Sequence, residues 1–153
     1  MTTITGLPAH ALLVHAIVVL APLTAVLEIL CACWPAARRR FVWLVLALSA
    51  VVLVLTPLTT SAGEWLLEQD GPPRPIVAEH AARGEWMIYF SVAMLIVALL
   101  LAALHWAEGR SDKPRKVAAA ALAVVALAVG VSTIITVVRI GDAGAQAVWG
   151  QRG

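Results

Sequence analysis

Four apolar stretches, each long enough to cross a lipid bilayer as a helix, occupy most of this 153-residue chain. They run approximately over residues 11–34, 41–61, 86–106 and 117–138. A hydrocarbon core of about 30 Å requires about 20 apolar residues in helical form. Hydrophobic residues make up 61% of the chain and charged residues only 13%. The sequence therefore predicts an integral membrane protein of the all-α class, a single four-helix bundle over residues 1–153.

The positions of the basic residues predict how this bundle is oriented. Arg38, Arg39 and Arg40 lie between the first two stretches, and Arg110 and Lys116 lie between the last two. Short loops rich in lysine and arginine stay in the cytoplasm. We therefore expect both termini to be extracytoplasmic in a multi-pass protein of the inner (plasma) membrane. The basic residues that give the chain its net charge of +2 are thus explained by membrane orientation. We therefore expect lipid around the chain and no nucleic-acid partner.

Ionisable side chains recur at the predicted outer ends of the helices. Counting 1.5 Å per residue from the basic loops places these side chains in two adjacent layers. They are His10, His15, Glu64, His80, Arg139 and Asp142. A helix turns 100° per residue, so His15 points about 140° away from His10. The sequence predicts an outward-facing polar pocket that only one of these two histidines can face on a regular helix.

One acid, Glu28, lies inside the first apolar stretch. At 100° per residue it shares a face with His10. Carboxylates within membrane spans are rare and commonly functional. We therefore interpret Glu28 as a buried acid that faces the bundle and is hydrogen-bonded to a neighbouring helix.

The fourth stretch carries small residues at spacings of three and four. They are Ala119, Ala123, Ala126 and Gly130. Small side chains on one face let another helix approach closely in a membrane. This pattern predicts a helix contact and no chemistry.

The arrangement of these motifs resembles a family of bacterial four-helix predicted membrane proteins that is catalogued only as a domain of unknown function. The resemblance is carried by His10, His15, Glu28, Gly63-Glu64-Trp65, His80 and the glycine-rich residues 141–144. In that family a proline usually follows the first histidine, where this chain has Ala11, and aspartate often replaces Glu28 and Glu64. The resemblance implies the four-helix fold and the candidate positions, and it supplies no reaction.

Three interpretations of the polar residues remain open from the sequence. In the first, His10 and His80 join Glu64 or Asp142 around zinc or another divalent metal ion. In the second, His10 or His15 pairs with His80 as axial ligands of a b-type haem in an electron-transfer bundle. In the third, the same side chains form a purely structural polar cap in a bundle that acts as an interaction subunit.

Nothing in the sequence predicts a catalytic site. Ser61, Ser91 and Ser132 have no adjacent acid–base pair, so we expect a protein that is not an enzyme. One buried acid in four helices is also a poor basis for a transporter. A homo-oligomer and a membrane partner protein are both compatible with so small a bundle, and the sequence specifies neither.

Overall fold

The computed structural model describes residues 3–4, 7–69, 72–111 and 115–150, and the rest of the predicted domain lies outside this description. Within it, a short antiparallel pair of strands precedes five helices. These elements are β1 (Thr3–Ile4), β2 (Leu7–Pro8), α1 (Ala9–Cys33), α2 (Pro35–Gln69), α3 (Pro75–Glu85), α4 (Met87–Gly109) and α5 (Lys116–Trp149). Four helical segments are long and apolar enough to span a membrane: α1, α2, α3 together with α4, and α5. The predicted helical fold with four spans is confirmed.

Prolines mark two of the helix starts. Pro35 begins α2 directly after Trp34, which is the only residue between α1 and α2. Pro75 begins α3. Proline suits a first helical position because it has no N–H to lose there. The segment from α3 to α4 is interrupted at Trp86, whose N–H bonds the carbonyl of Arg83 at 3.2 Å in a tighter turn.

The helices form a ring in which α1 and α4 are diagonal. Both pack mainly on α2 and α5 and touch each other less, while α3 lies against α5. At one end of the bundle, His10 and His80 lie near the starts of α1 and α3. We call this the histidine end. At the opposite end, which we call the arginine end, buried Arg38 joins α2 to α4 through two bonds to Glu108, of 2.7 and 3.1 Å.

The two halves of the bundle repeat one another. We define the first half as α1 with α2, and the second half as α3, α4 and α5. Aligning His10 with His80 places buried residues of α1 on buried residues of α4. The aligned pairs are Ile17 with Met87, Ala21 with Ser91, Thr24 with Met94, Glu28 with Ala98, Cys31 with Leu101 and Ala32 with Ala102.

The same correspondence relates α2 to α5. Aligning Thr59 with Ile140 again matches buried positions. The pairs are Val45 with Ala126, Ser49 with Gly130, Val52 with Thr133, Thr56 with Val137 and Ala62 with Ala143. Both halves run in the same direction, since α1 and α3 start at the histidine end and α2 and α5 finish there. The repeat is therefore of the parallel kind, with its pseudo-two-fold axis along the bundle.

Candidate functional site

His10 is held in the first turn of α1 by the facing helix α2. Its Nδ1 lies 2.9 Å from the carbonyl oxygen of Thr59. One turn further along α2, Gly63 leaves the space that the ring fills. A Cβ at Gly63 would lie 2.9 Å from both Cε1 and Nδ1 of His10, closer than real Cβ contacts come. The absence of a side chain at Gly63 thus makes room for the imidazole of His10.

His80 is held in the same way in the second half. Its Nδ1 lies 3.0 Å from the carbonyl oxygen of Ile140 on α5. One turn further along α5, a Cβ at Gly144 would lie 3.0 Å from Cε1 of His80. Each half therefore supplies a histidine, a backbone carbonyl on the facing helix, and a glycine one turn beyond that carbonyl.

The two rings meet across the pseudo-two-fold axis. The ring centroids of His10 and His80 are 6.1 Å apart, and the ring planes are inclined at 84°. Both side chains are half-buried. We call these two residues the histidine pair.

The hydrogen bonds of the histidine pair determine which ring nitrogens carry protons. A carbonyl oxygen only accepts, so Nδ1 donates in each ring and Nε2 keeps its lone pair when the ring is neutral. Among the residues that the structure describes, neither Nε2 is hydrogen-bonded. Histidines that bind metals are commonly oriented in this way, with one nitrogen fixed by a carbonyl and the other available as a ligand.

The other residues singled out from the sequence lie apart from the histidine pair. His15 is exposed, and its Nδ1 bonds the carbonyl of Ala11 in its own helix. Glu64 is exposed. Asp142 is also exposed, and its Oδ2 accepts a bond of 2.9 Å from Gln146. Within the described ranges, no group of three or more His, Cys, Asp or Glu side chains is arranged to hold a metal ion.

Glu28 is fully buried in the middle of α1. Its Oε1 accepts a hydrogen bond of 2.9 Å from the hydroxyl of Ser49 on α2, as expected for an acid bonded to a neighbouring helix. Its Oε2 has no partner among the described residues. Along the helix Glu28 is about 27 Å from His10. The acid is thus separate from the histidine pair.

Sequence reasoning missed the groups that position the two rings. The acceptors are backbone carbonyls of Thr59 and Ile140, and a backbone group has no signature in a sequence. The two glycines offered a signal, because a glycine inside a long helix costs stability and commonly has a packing reason. Gly63 lies in the Gly-Glu-Trp motif and Gly144 in the glycine-rich end of α5.

These features define a four-span membrane bundle with a histidine pair at one end. The chain belongs to the family described as Predicted membrane protein (DUF2231), which matches residues 6–153. The resemblance seen in the sequence is thereby confirmed. No curated protein and no solved structure matches the chain. Because the family is a domain of unknown function, membership establishes the kind of protein and assigns no activity.

Proposed function

We propose that this chain is a membrane electron-transfer protein in which His10 and His80 are the axial ligands of one b-type haem. The observation that carries the proposal is the separation of the two imidazoles. A metal–imidazole bond is about 2.0–2.1 Å long and the ring centre lies about 1.1 Å beyond the nitrogen, so two imidazoles on opposite sides of one iron have centroids about 6.2 Å apart. The observed 6.1 Å is close to this spacing, and it is also an ordinary separation for two rings in edge contact.

The number of ligands favours haem over zinc. A structural zinc ion takes four ligands, and a catalytic one takes three from the protein and a water. Haem iron requires only two axial ligands from the protein because the porphyrin supplies the rest. Within the part of the chain that the structure describes, two imidazoles converge and no third His, Cys, Asp or Glu joins them.

The chain's own residues would hold and tune such a group. Bound haem supplies one-electron chemistry. The carbonyls of Thr59 and Ile140 would fix the orientation of the two imidazoles and raise their basicity. Two histidine ligands leave no open axial position for a substrate, which is why we propose an electron carrier and not an enzyme.

The same proposal includes one four-span domain in the plasma membrane with the histidine end outside. The argument is the concentration of basic residues at the arginine end, which includes Arg38, Arg110 and Lys116. The test uses single cysteines at Glu68 and Ser111 in a chain whose Cys31 and Cys33 are replaced by alanine. An impermeant maleimide should label Glu68→Cys in intact cells and Ser111→Cys only after lysis. The reverse labelling would contradict this orientation.

The haem proposal is tested by the visible absorption spectrum of protein purified in mild detergent from cells supplied with a haem precursor. We expect one haem per chain, a Soret band, and a sharp α band on reduction. His10→Ala and His80→Ala should each abolish the six-coordinate spectrum, while His15→Ala, the control on the same helix, should retain it.

Two results would support the other interpretations. A colourless parent that contains one zinc per chain, lost in Glu64→Ala or Asp142→Ala, would establish a metal site. A colourless and metal-free parent, in which His10→Ala only lowers stability, would establish a structural cap. The loss of stability in that case should be about 0.5–1.5 kcal/mol, because the hydrogen bond from Nδ1 of His10 to the carbonyl oxygen of Thr59 is lost.

A further inference from the structure

A second polar feature of the histidine end is a hollow on the surface between α5 and the junction of α3 with α4. Its volume is about 240 Å³. The lining residues are Arg83, Trp86, Phe90, Thr136, Arg139 and Ile140. Phe90 lies one turn beyond Trp86 on α4, and Thr136 lies one turn before Arg139 on α5, so both are nearer the middle of the bundle. The hollow therefore has a basic rim and a more apolar floor.

The two arginines of the rim differ in their partners. Arg83 is paired with Glu79 and donates to the carbonyl oxygen of Arg139 at 3.4 Å. Its side chain is 42% exposed. Across the described ranges, the guanidinium of Arg139 forms no hydrogen bond or ion pair. The nearby acid Asp142 bonds Gln146 and does not line the hollow. The rim thus carries a positive charge without a counter-ion.

The chemistry of the hollow fits an anion with an apolar tail. Guanidinium groups bind phosphate through paired, charge-assisted hydrogen bonds. Tryptophan is enriched at the level of lipid headgroups, and Trp86 is 64% exposed at this rim. From the end of the bundle towards its middle, the hollow presents first the two arginines and then Phe90. A lipid presents its headgroup and then its acyl chain in the same order.

We propose that this hollow binds an anionic phospholipid, with its phosphate on Arg83 and Arg139 and the start of an acyl chain against Phe90. Basic pockets between membrane helices bind anionic headgroups on the cytoplasmic side of other proteins, and the same chemistry would apply at the histidine end. A small inorganic anion would leave the apolar floor uncovered, and a neutral quinone would leave Arg139 without a counter-ion. This site contains neither ring of the histidine pair, although Ile140 lines the hollow and its carbonyl oxygen accepts from His80.

The test measures binding to the detergent-purified chain by native mass spectrometry, with phosphatidylglycerol, phosphatidylcholine of the same acyl chains, and inorganic phosphate. We expect phosphatidylglycerol to bind about tenfold more tightly than phosphatidylcholine. The double variant Arg83→Gln with Arg139→Gln should lose this preference. Arg74→Gln is the matched control, since Arg74 is at the same end and donates instead to the carbonyl of Ala147.

Three results would overturn the proposal. They are equal binding of the two lipids by the parent, an equal loss of preference in Arg74→Gln, and saturation of the site by inorganic phosphate alone. If the glutamine variant does not fold, Arg83→Lys with Arg139→Lys replaces it. That variant should retain part of the preference, because the charge remains and the paired geometry is lost. Full retention or complete loss there would also contradict the paired-guanidinium site.

Discussion

The two halves of the bundle agree at the histidine end and differ in the middle. At the histidine end each half contributes the same three groups: a histidine, a facing carbonyl and a glycine. In the middle, Glu28 and Ser49 of the first half occupy the positions of Ala98 and Gly130 in the second. The groups that both halves share are those that the proposed haem site between them would require. Glu28 and Ser49, which only the first half has, form a hydrogen bond between α1 and α2.

The difference in the middle shows two ways of attaching α1 to its neighbours. On the side of α2, Glu28 accepts a hydrogen bond from Ser49. On the side of α5, Gly130 allows close contact, because a Cβ there would lie 2.8 Å from Cδ1 of Ile29. Membrane helices associate through both means, since lipid offers no hydrophobic driving force between them. Substitutions in each half test this comparison.

Glu28→Lys should lower the free energy of unfolding more than any other substitution considered for the bundle. It places an ammonium group in a fully buried position, which costs about 3 kcal/mol or more in the middle of a span. Glu28→Gln keeps an acceptor for Ser49 and should cost less than about 1 kcal/mol. The measurement is the free energy of unfolding in mixed micelles. An equal loss in both variants would mean that the carboxylate itself is needed.

Gly130→Leu should have the second largest effect. We expect it to lower the free energy of unfolding by about 2 kcal/mol, because the added side chain overpacks the helix contact. The added side chain would meet Ile29 and the carbonyl oxygen of Ala25. Gly141→Leu on the same helix is the control, because no atom lies within 4 Å of a Cβ there. Thermal unfolding in detergent compares the two. A tolerated Gly130→Leu would show that this face of α5 does not contact α1 closely.

Gly63→Ala and Gly144→Ala should have similar effects, since each adds a methyl group against a ring of the histidine pair. We expect a loss of about 1 kcal/mol for each, together with weaker haem retention. Gly84→Ala is the control, with open space around its Cβ position. If only one of the two variants is damaging, the halves are not equivalent at the histidine end.

His15→Ala should have the smallest effect, below about 0.5 kcal/mol, because the side chain is exposed and bonds only its own helix. The unfolding midpoint in detergent should not move. A loss as large as that of His10→Ala would show that His15 contributes to the site.

Much of the fold could be predicted from the sequence because membrane spans are recognised by length and polarity alone. The four spans follow from these signals, and the close contact at Gly130 follows from the spacing of small residues. The interruption at Trp86 lacks a proline and was not predicted. The repeat was also missed, because beyond the histidines, the two glycines and a few alanines the halves share a pattern of burial and not their residue types.

The candidate site was predictable in part for a related reason. Helical rise gives the height of a residue, so His10 and His80 could both be placed at the outer ends of their helices. Which way a side chain faces in the bundle depends on how the helices pack. Glu64 and Asp142 are exposed, whereas the two histidines meet. The facing carbonyls and the role of the glycines depend on how the helices pack, so the sequence alone could not predict them.

The most direct test of the central claim is the low-temperature electron paramagnetic resonance spectrum of the ferric protein. The spectrum of a low-spin haem with two imidazole ligands depends on the angle between their planes. With planes at 84°, we predict a single, highly anisotropic low-spin signal that disappears in both His10→Ala and His80→Ala. A parent without any haem signal, or one whose low-spin signal survives either substitution, would contradict the account.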